Sequence, residues 1–199
     1  ISPMLHKTLF ASAFAGLALY GVAASAATVK TYQSELGQVT VTTVAEGLKY
    51  PWALAFLPDN KGMLVTEKPG DLRVVSAEGK ISSPISGVPQ VWAKNQGGLL
   101  DVVLSPDFKA DRMVYLSYAE QGEDGKGGTA VGRGRLSEDL THLENFTTIF
   151  RQEPKLSVGN HFGSRLVFDR DGYLFIALGE NNQRSTSQDL DKLQGLSLI

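Results

Sequence analysis

The chain contains no cysteine and only three histidines among 199 residues. Without thiols there can be no disulfide framework, no thiolate nucleophile and no cysteine-based metal centre. The histidines are too few for a multi-histidine zinc site, and the H-E-x-x-H helix spacing is missing. Charge is nearly balanced, with 19 basic and 21 acidic residues and a formal net charge of −2. With no long basic run either, nucleic acid is not an expected partner. Whatever chemistry occurs must use carboxylates, amides, one histidine or a bound cofactor.

Long apolar runs are scarce too. The one clear run, Leu9 to Val22, follows His6 and Lys7 and precedes Ala24-Ser25-Ala26. A short basic head, an apolar stretch too short to span a bilayer and an A-x-A site predict a secretory signal peptide. Ile1-Ser2-Pro3 before Met4 reads as sequence upstream of a start codon. Residues 1–26 are therefore expected to be upstream residues and leader, leaving 27–199 as the mature portion with no membrane anchor. Of the histidines, this portion keeps His142 and His161.

Helical periodicity is almost absent from residues 27–199, while β-branched and apolar runs recur between Gly, Pro and Asp clusters. That pattern predicts an all-β fold. Strands are expected over Val39–Val44, Trp52–Leu57, Gly62–Glu67, Leu72–Ser76, Leu99–Leu104, Met113–Tyr118, Ala130–Leu136, Arg165–Phe168 and Tyr173–Leu178. A weak repeat organises them: an apolar run, a turn with Asp59, Asp107 or Asp171, then Met63–Thr66, Val114–Ser117 or Tyr173–Ile176. Repeats roughly fifty to sixty residues apart with several strands each point to β-propeller blades. A two-sheet sandwich competes, but its units do not normally repeat one order of elements. Three blades cannot close a ring, and an open ring exposes strand edges. The chain is thus expected to be the N-terminal portion of a longer propeller.

Three polar features lie where the repeats meet loops. Gln96 precedes Gly97-Gly98, where the glycines leave room at the mouth of a strand. His161 stands between Gly159 and Gly163, a setting that lets another molecule approach the backbone. Glu180 ends a strand and leads into Asn181-Asn182. If His161 precedes one strand and Glu180 ends its hairpin partner, both return to the same end of the blade. A carboxylate there would fix the tautomer of the imidazole and stabilise its protonated form. Each feature alone also reads as a plain turn. The Gly122–Gly128 segment lacks the alternating ligands of a calcium loop and is expected to be a mobile surface loop. Gly132-Arg133-Gly134-Arg135 reads as strand, and Trp52 and Trp92 as blade packing or stacking surfaces.

Pro51–Asp59, Gln96–Asp101, Gly159–Gly163, Leu178–Asn182 and Gln188-Asp189-Leu190, in that order, resemble the soluble PQQ-dependent sugar dehydrogenases of the glucose/sorbosone dehydrogenase family, from about Val39 to Gly195. The resemblance implies a six-bladed propeller, of which about three blades are here, with pyrroloquinoline quinone (PQQ) on its axial face. It further implies a periplasmic enzyme that oxidises aldoses to lactones and passes electrons to an external acceptor. By the same resemblance His161 is the catalytic base, Glu180 its carboxylate partner and Gln96 a residue of the cofactor and substrate pocket. Calcium and the remaining PQQ contacts are expected in the later blades of a full-length protein, so the chain by itself is expected to be inactive, and a homodimer is among the assemblies left open. The chain departs from the family in reading Ser164 where glycine is usual, and in Leu196-Ser197-Leu198-Ile199 after Gly195. A non-catalytic sugar- or protein-binding propeller and a propeller lactonase or hydrolase are the alternatives, since one fold serves many functions.

Overall fold

The computed structural model describes residues 28–194 and 196–198; the leader expected over residues 1–26 lies outside them. A hairpin of β1 (Val29–Ser34) and β2 (Gly37–Thr42) comes first. Three antiparallel meanders follow. The first holds β3 (Pro51–Phe56), β4 (Met63–Glu67) and β5 (Leu72–Val75). The second holds β6 (Leu99–Leu104), β7 (Met113–Gln121), β8 (Gly127–Leu136) and β9 (Leu143–Arg151). The third holds β10 (Gly163–Phe168), β11 (Leu174–Leu178) and β12 (Leu196–Leu198). The first strands of the three sheets, β3, β6 and β10, pack side by side in that order. This is the inner wall of a partial β-propeller, as the repeat predicted. Among the described residues no helix is long and apolar enough to cross a membrane.

The middle sheet is buried on both faces, and the two-residue period of β7 shows how. Val114, Leu116 and Tyr118 join the core shared with the first sheet, alongside Leu64, Leu72, Leu99 and Val102. Tyr115, from the opposite face of the strand, packs with Leu166, Leu174, Ile176 and Leu178 of the third sheet. Its ring meets Phe168 edge-on at 5.0 Å between centroids. A strand buried on both sides reads as continuous apolar sequence, which is why β6 and β7 were legible.

Other expectations need correction. Strands β1 and β9 were not predicted: β1 is exposed along its whole length, and β9 alternates exposed with half-buried residues at the outer edge of its sheet. A one-turn helix, α1 (Phe108–Asp111), fills the turn after Asp107. The Gly122–Gly128 segment is only partly loop, because Gly127 and Gly128 lie inside β8. Pairing also shifts the third repeat by one residue: Pro51, Leu99 and Gly163 face Glu67, Tyr118 and Leu178. Met63 thus corresponds to Val114 and Leu174, and Tyr173 precedes its strand.

That frame reveals how the sheets are joined. Each inner strand has a register irregularity just after its first pair, at Trp52 in β3, Leu100-Asp101 in β6 and Ser164-Arg165 in β10. Such bulges leave backbone groups without ladder partners. In the first sheet the fully buried Thr66 hydroxyl accepts the Ala53 N–H at 3.1 Å and donates across the interface to the Leu100 carbonyl at 2.6 Å. In the second, the fully buried Ser117 hydroxyl accepts the Asp101 N–H at 2.9 Å and donates to the Ser164 carbonyl at 2.7 Å. One hydroxyl therefore closes its own sheet's bulge and clasps the next sheet. At the corresponding place in the third sheet stands Ala177, which has no hydroxyl.

Removing a clasp strands a buried donor and a buried acceptor, at about 1–3 kcal/mol for each unpaired group. Thr66→Val, nearly isosteric, should lower unfolding free energy by about 2 kcal/mol or more, whereas Thr66→Ser should retain most of the stability. Urea unfolding measures both, and equal stability of Thr66→Val and wild type would contradict the clasp.

Candidate active site

His161 lies two residues before β10 and Glu180 two residues after β11, so the hairpin returns both to one end of the third sheet. Their side chains meet, with imidazole Nδ1 2.5 Å from Glu180 Oε1. The imidazole is 42% exposed and the carboxylate 19%, so the pair faces an open surface while its carboxylate is the more sheltered member. The hydrogen bond from His161, then backbone N–H groups of the turn, hold the Glu180 carboxyl below the usual carboxylate range. An ionised Glu180 accepts the Nδ1 proton, which puts the imidazole lone pair on Nε2.

The loop bearing His161 is fixed from several sides. Its own N–H donates to Gln96 Oε1 at 2.9 Å, and the Gln96 N–H donates to the Gly159 carbonyl at 2.8 Å. The His161 carbonyl accepts the Asn181 N–H at 3.3 Å, and the Phe162 carbonyl accepts the Gly179 N–H at 3.1 Å. Phe162 is buried and packs edge-on to Trp92, with ring centroids 6.3 Å apart, beside Leu100 and Ala119. Phe162 is thereby anchored in the core while His161, with φ of 50° in the left-handed region, stays exposed beside it.

All three sequence-predicted residues, Gln96, His161 and Glu180, are thus brought together, but the glycines work differently than expected. A Cβ on Gly98 would lie 2.0 Å from the Lys68 carbonyl oxygen, and one on Gly163 would lie 2.6 Å from the Gly179 nitrogen. A Cβ on Gly179 would fall 1.8 Å from the His161 carbonyl oxygen. These glycines admit neighbouring backbone, not a ligand. Asn181 and Asn182 turn the chain with φ of 49° and 63°, the left-handed region that asparagine tolerates. Ser164 directs its buried hydroxyl to the Phe162 carbonyl at 3.4 Å and to Thr129 Oγ1 at 3.5 Å.

Several supporting groups were not among the predicted site residues. The Asp101 carboxylate, almost fully buried, accepts N–H bonds from Val102 and Leu166 and a 2.9 Å contact from Arg165. Burial pushes its carboxyl up, against the pull of those donors. The Arg165 guanidinium also lies over the Trp52 ring, 5.2 Å from its centroid, so one residue from each inner strand meets here. Trp52 and Arg165 border an open cleft of about 610 Å³ beside β3, apart from the His161 pair in its lining residues. Among the described residues no group of three or more His, Asp or Glu is placed to hold a metal ion.

Because the folded-state carboxyl of Glu180 is lowered, the stability from its bond to His161 is fully present above the unfolded-state value and fades as pH falls through the folded one. Unfolding measured from about pH 6 down to about pH 3 should show a larger acid-side loss in wild type than in Glu180→Gln, which keeps only the share of the other lowered carboxyls. Superimposable pH profiles would contradict the pairing.

Known proteins resemble this chain in sequence and in fold. The profile of the family described as Glucose / Sorbosone dehydrogenase matches residues 48–198. The aldose sugar dehydrogenase YliI of Escherichia coli is 66% identical over 157 residues, covering 79% of this chain and 42% of that protein. The apo-form crystal structure of the soluble aldose sugar dehydrogenase from Escherichia coli superposes with a TM-score of 0.76 at 60% identity, over 86% of this chain and 46% of that one. The PQQ-bound aldose sugar dehydrogenase of Streptomyces coelicolor superposes with a TM-score of 0.66 at 28% identity, over 87% and 48% of the two chains. The chain spans less than half the length of these relatives. It belongs to the glucose/sorbosone dehydrogenase family.

Proposed function

We propose that this chain is the N-terminal part of a periplasmic quinoprotein that oxidises the anomeric hydroxyl of aldose sugars to a lactone. The observation that carries the reading is the exposed His161 imidazole backed by the sheltered Glu180 carboxylate at 2.5 Å. A binding module has no need of a base with a carboxylate partner. The high identity to an aldose sugar dehydrogenase supports the substrate class.

In this reading, His161 Nε2 takes the proton of the anomeric hydroxyl as a hydride leaves the same carbon, and the sugar becomes a lactone. Glu180 holds the base in its Nδ1–H tautomer and stabilises the imidazolium that forms. PQQ, when bound, supplies the two-electron acceptor. The residues present fit one edge of that group: the Gln96 Oε1 is taken by the His161 N–H, so its amide NH₂ is the part left to donate to a quinone or carboxylate oxygen. The PQQ-bound relative supports the choice of cofactor. Calcium and the other PQQ contacts belong, in this reading, to parts of the full-length protein outside the described residues. Electrons then pass to an external acceptor, and residues 1–26 direct export.

The test uses the full-length protein that carries this chain, loaded with PQQ and calcium, with dye reduction followed on glucose and other aldoses. Wild type should reduce the dye in a sugar-dependent way, and His161→Ala should lower kcat by about 10²–10⁴-fold. Absence of sugar-dependent reduction in wild type would contradict the dehydrogenase reading. Unchanged turnover in His161→Ala would remove His161 from its role.

A further inference from the structure

The side chain that ties the most parts of the site together is not one of the exposed groups. Asn181 is fully buried, and it grips the His161 loop twice: its N–H donates to the His161 carbonyl at 3.3 Å and its Nδ2 donates to the Asn160 carbonyl at 2.9 Å. Through the chain itself it also carries Glu180, the preceding residue. Asn181 therefore holds both members of the pair, one covalently and the other through hydrogen bonds.

Asn181 is held in turn by the neighbouring sheet. Its Oδ1 accepts from Gln152 Nε2 at 2.7 Å, and Gln152 is fully buried just beyond the end of β9. Gln152 is locked to β8 by its own N–H, which donates to the Thr129 carbonyl at 2.8 Å, and by its Oε1, which accepts the Thr129 N–H at 3.3 Å. Thr129 Oγ1 completes the linkage by donating to the Phe162 carbonyl at 3.0 Å. A buried amide needs partners for its polar atoms, and an aliphatic side chain would fill the same volume without that demand. Gln152 directs its amide to two places only, Thr129 of its own sheet and the residue that fixes the His161–Glu180 pair. Uniquely oriented side-chain networks of this kind confer rigidity on what they hold.

We propose that Gln152 and Asn181 are positioning residues for the His161–Glu180 pair, a buried amide relay through which the second sheet sets the geometry of the base carried by the third. The proposal rests on the catalytic reading of that pair, but the relay has a consequence independent of turnover. Glu180 has its carboxyl lowered chiefly by the bond to His161. Loosening the loop weakens that bond and returns Glu180 toward the usual carboxylate range.

The experiment uses the full-length protein, with Glu carboxyl carbons labelled and Glu180 assigned by its loss in Glu180→Gln. Carbon-13 NMR then follows the Glu180 titration in wild type, Gln152→Met and Thr66→Val. Gln152→Met keeps the side-chain length and removes the relay, whereas Thr66→Val weakens the sheets at a distance. Gln152→Met should raise the Glu180 midpoint toward the usual carboxylate range and lower kcat about 10-fold, with KM changed less. Thr66→Val should lower stability and leave the midpoint in place. A Glu180 midpoint in Gln152→Met equal to wild type, or an equal rise in Thr66→Val, would overturn the relay. Should Gln152→Met fail to fold, Asn181→Gly keeps the left-handed backbone, deletes the grip on Asn160 and is judged by the same midpoint. If wild type oxidises no sugar, the catalytic reading fails and the titration still decides the relay.

Discussion

Two buried hydroxyls, of Thr66 and Ser117, each close a bulge in their own sheet and bond the next sheet at the same step of the repeat. Sheets packed by apolar contact alone can slide, because dispersion and hydrophobic burial have little direction. A hydroxyl that accepts from its own sheet and donates to the next has a fixed length and angle, so it sets the rotation between them. The bulges on β3, β6 and β10 are the counterpart of this device: they present the unpaired N–H and C=O that the hydroxyl needs. The apolar cores on either side of β7 then supply most of the stabilisation.

The candidate site is a consequence of that docking. The Ser117 clasp ends on the Ser164 carbonyl, only three residues from His161, and Thr129 and Gln152 reach the same loop from the same neighbouring sheet. Backbone meets backbone at Gly98, Gly163 and Gly179, which is why no side chain is tolerated there. The resulting loop is rigid where the imidazole is attached and open where it faces outward. A general base requires this combination, since a displaced base loses much of its effect while a buried one cannot reach a substrate.

Much of this was legible from residue order. Apolar runs buried on both faces marked β6 and β7, and the turn aspartates marked the repeat. The pairing of His161 with Glu180 is legible in sequence because they flank one hairpin, and hairpin ends lie together. What escaped detection has physical causes. Strand β1 is exposed along its length, so it carries no burial pattern. Strand β9 alternates exposed with only half-buried residues after Leu143, and it carries polar residues at Glu144, Asn145, Thr147 and Thr148, so no apolar stripe marks it. Gln152 and Thr129 gave no sign, because a buried amide partnered across sheets looks in sequence like any polar residue near a strand end. The glycines stand out in sequence, but their need is close contact with other backbone, which only three-dimensional neighbours reveal.

The central claim is that Glu180 holds His161 as a base with its free lone pair on Nε2. Nitrogen-15 NMR of the full-length protein, with His161 identified by substitution, reads this directly. The account predicts a protonated Nδ1 bonded to carboxylate and an unprotonated Nε2 in the neutral imidazole, changing in Glu180→Gln. A neutral His161 protonated at Nε2, with the same nitrogen shifts in wild type and Glu180→Gln, would contradict it.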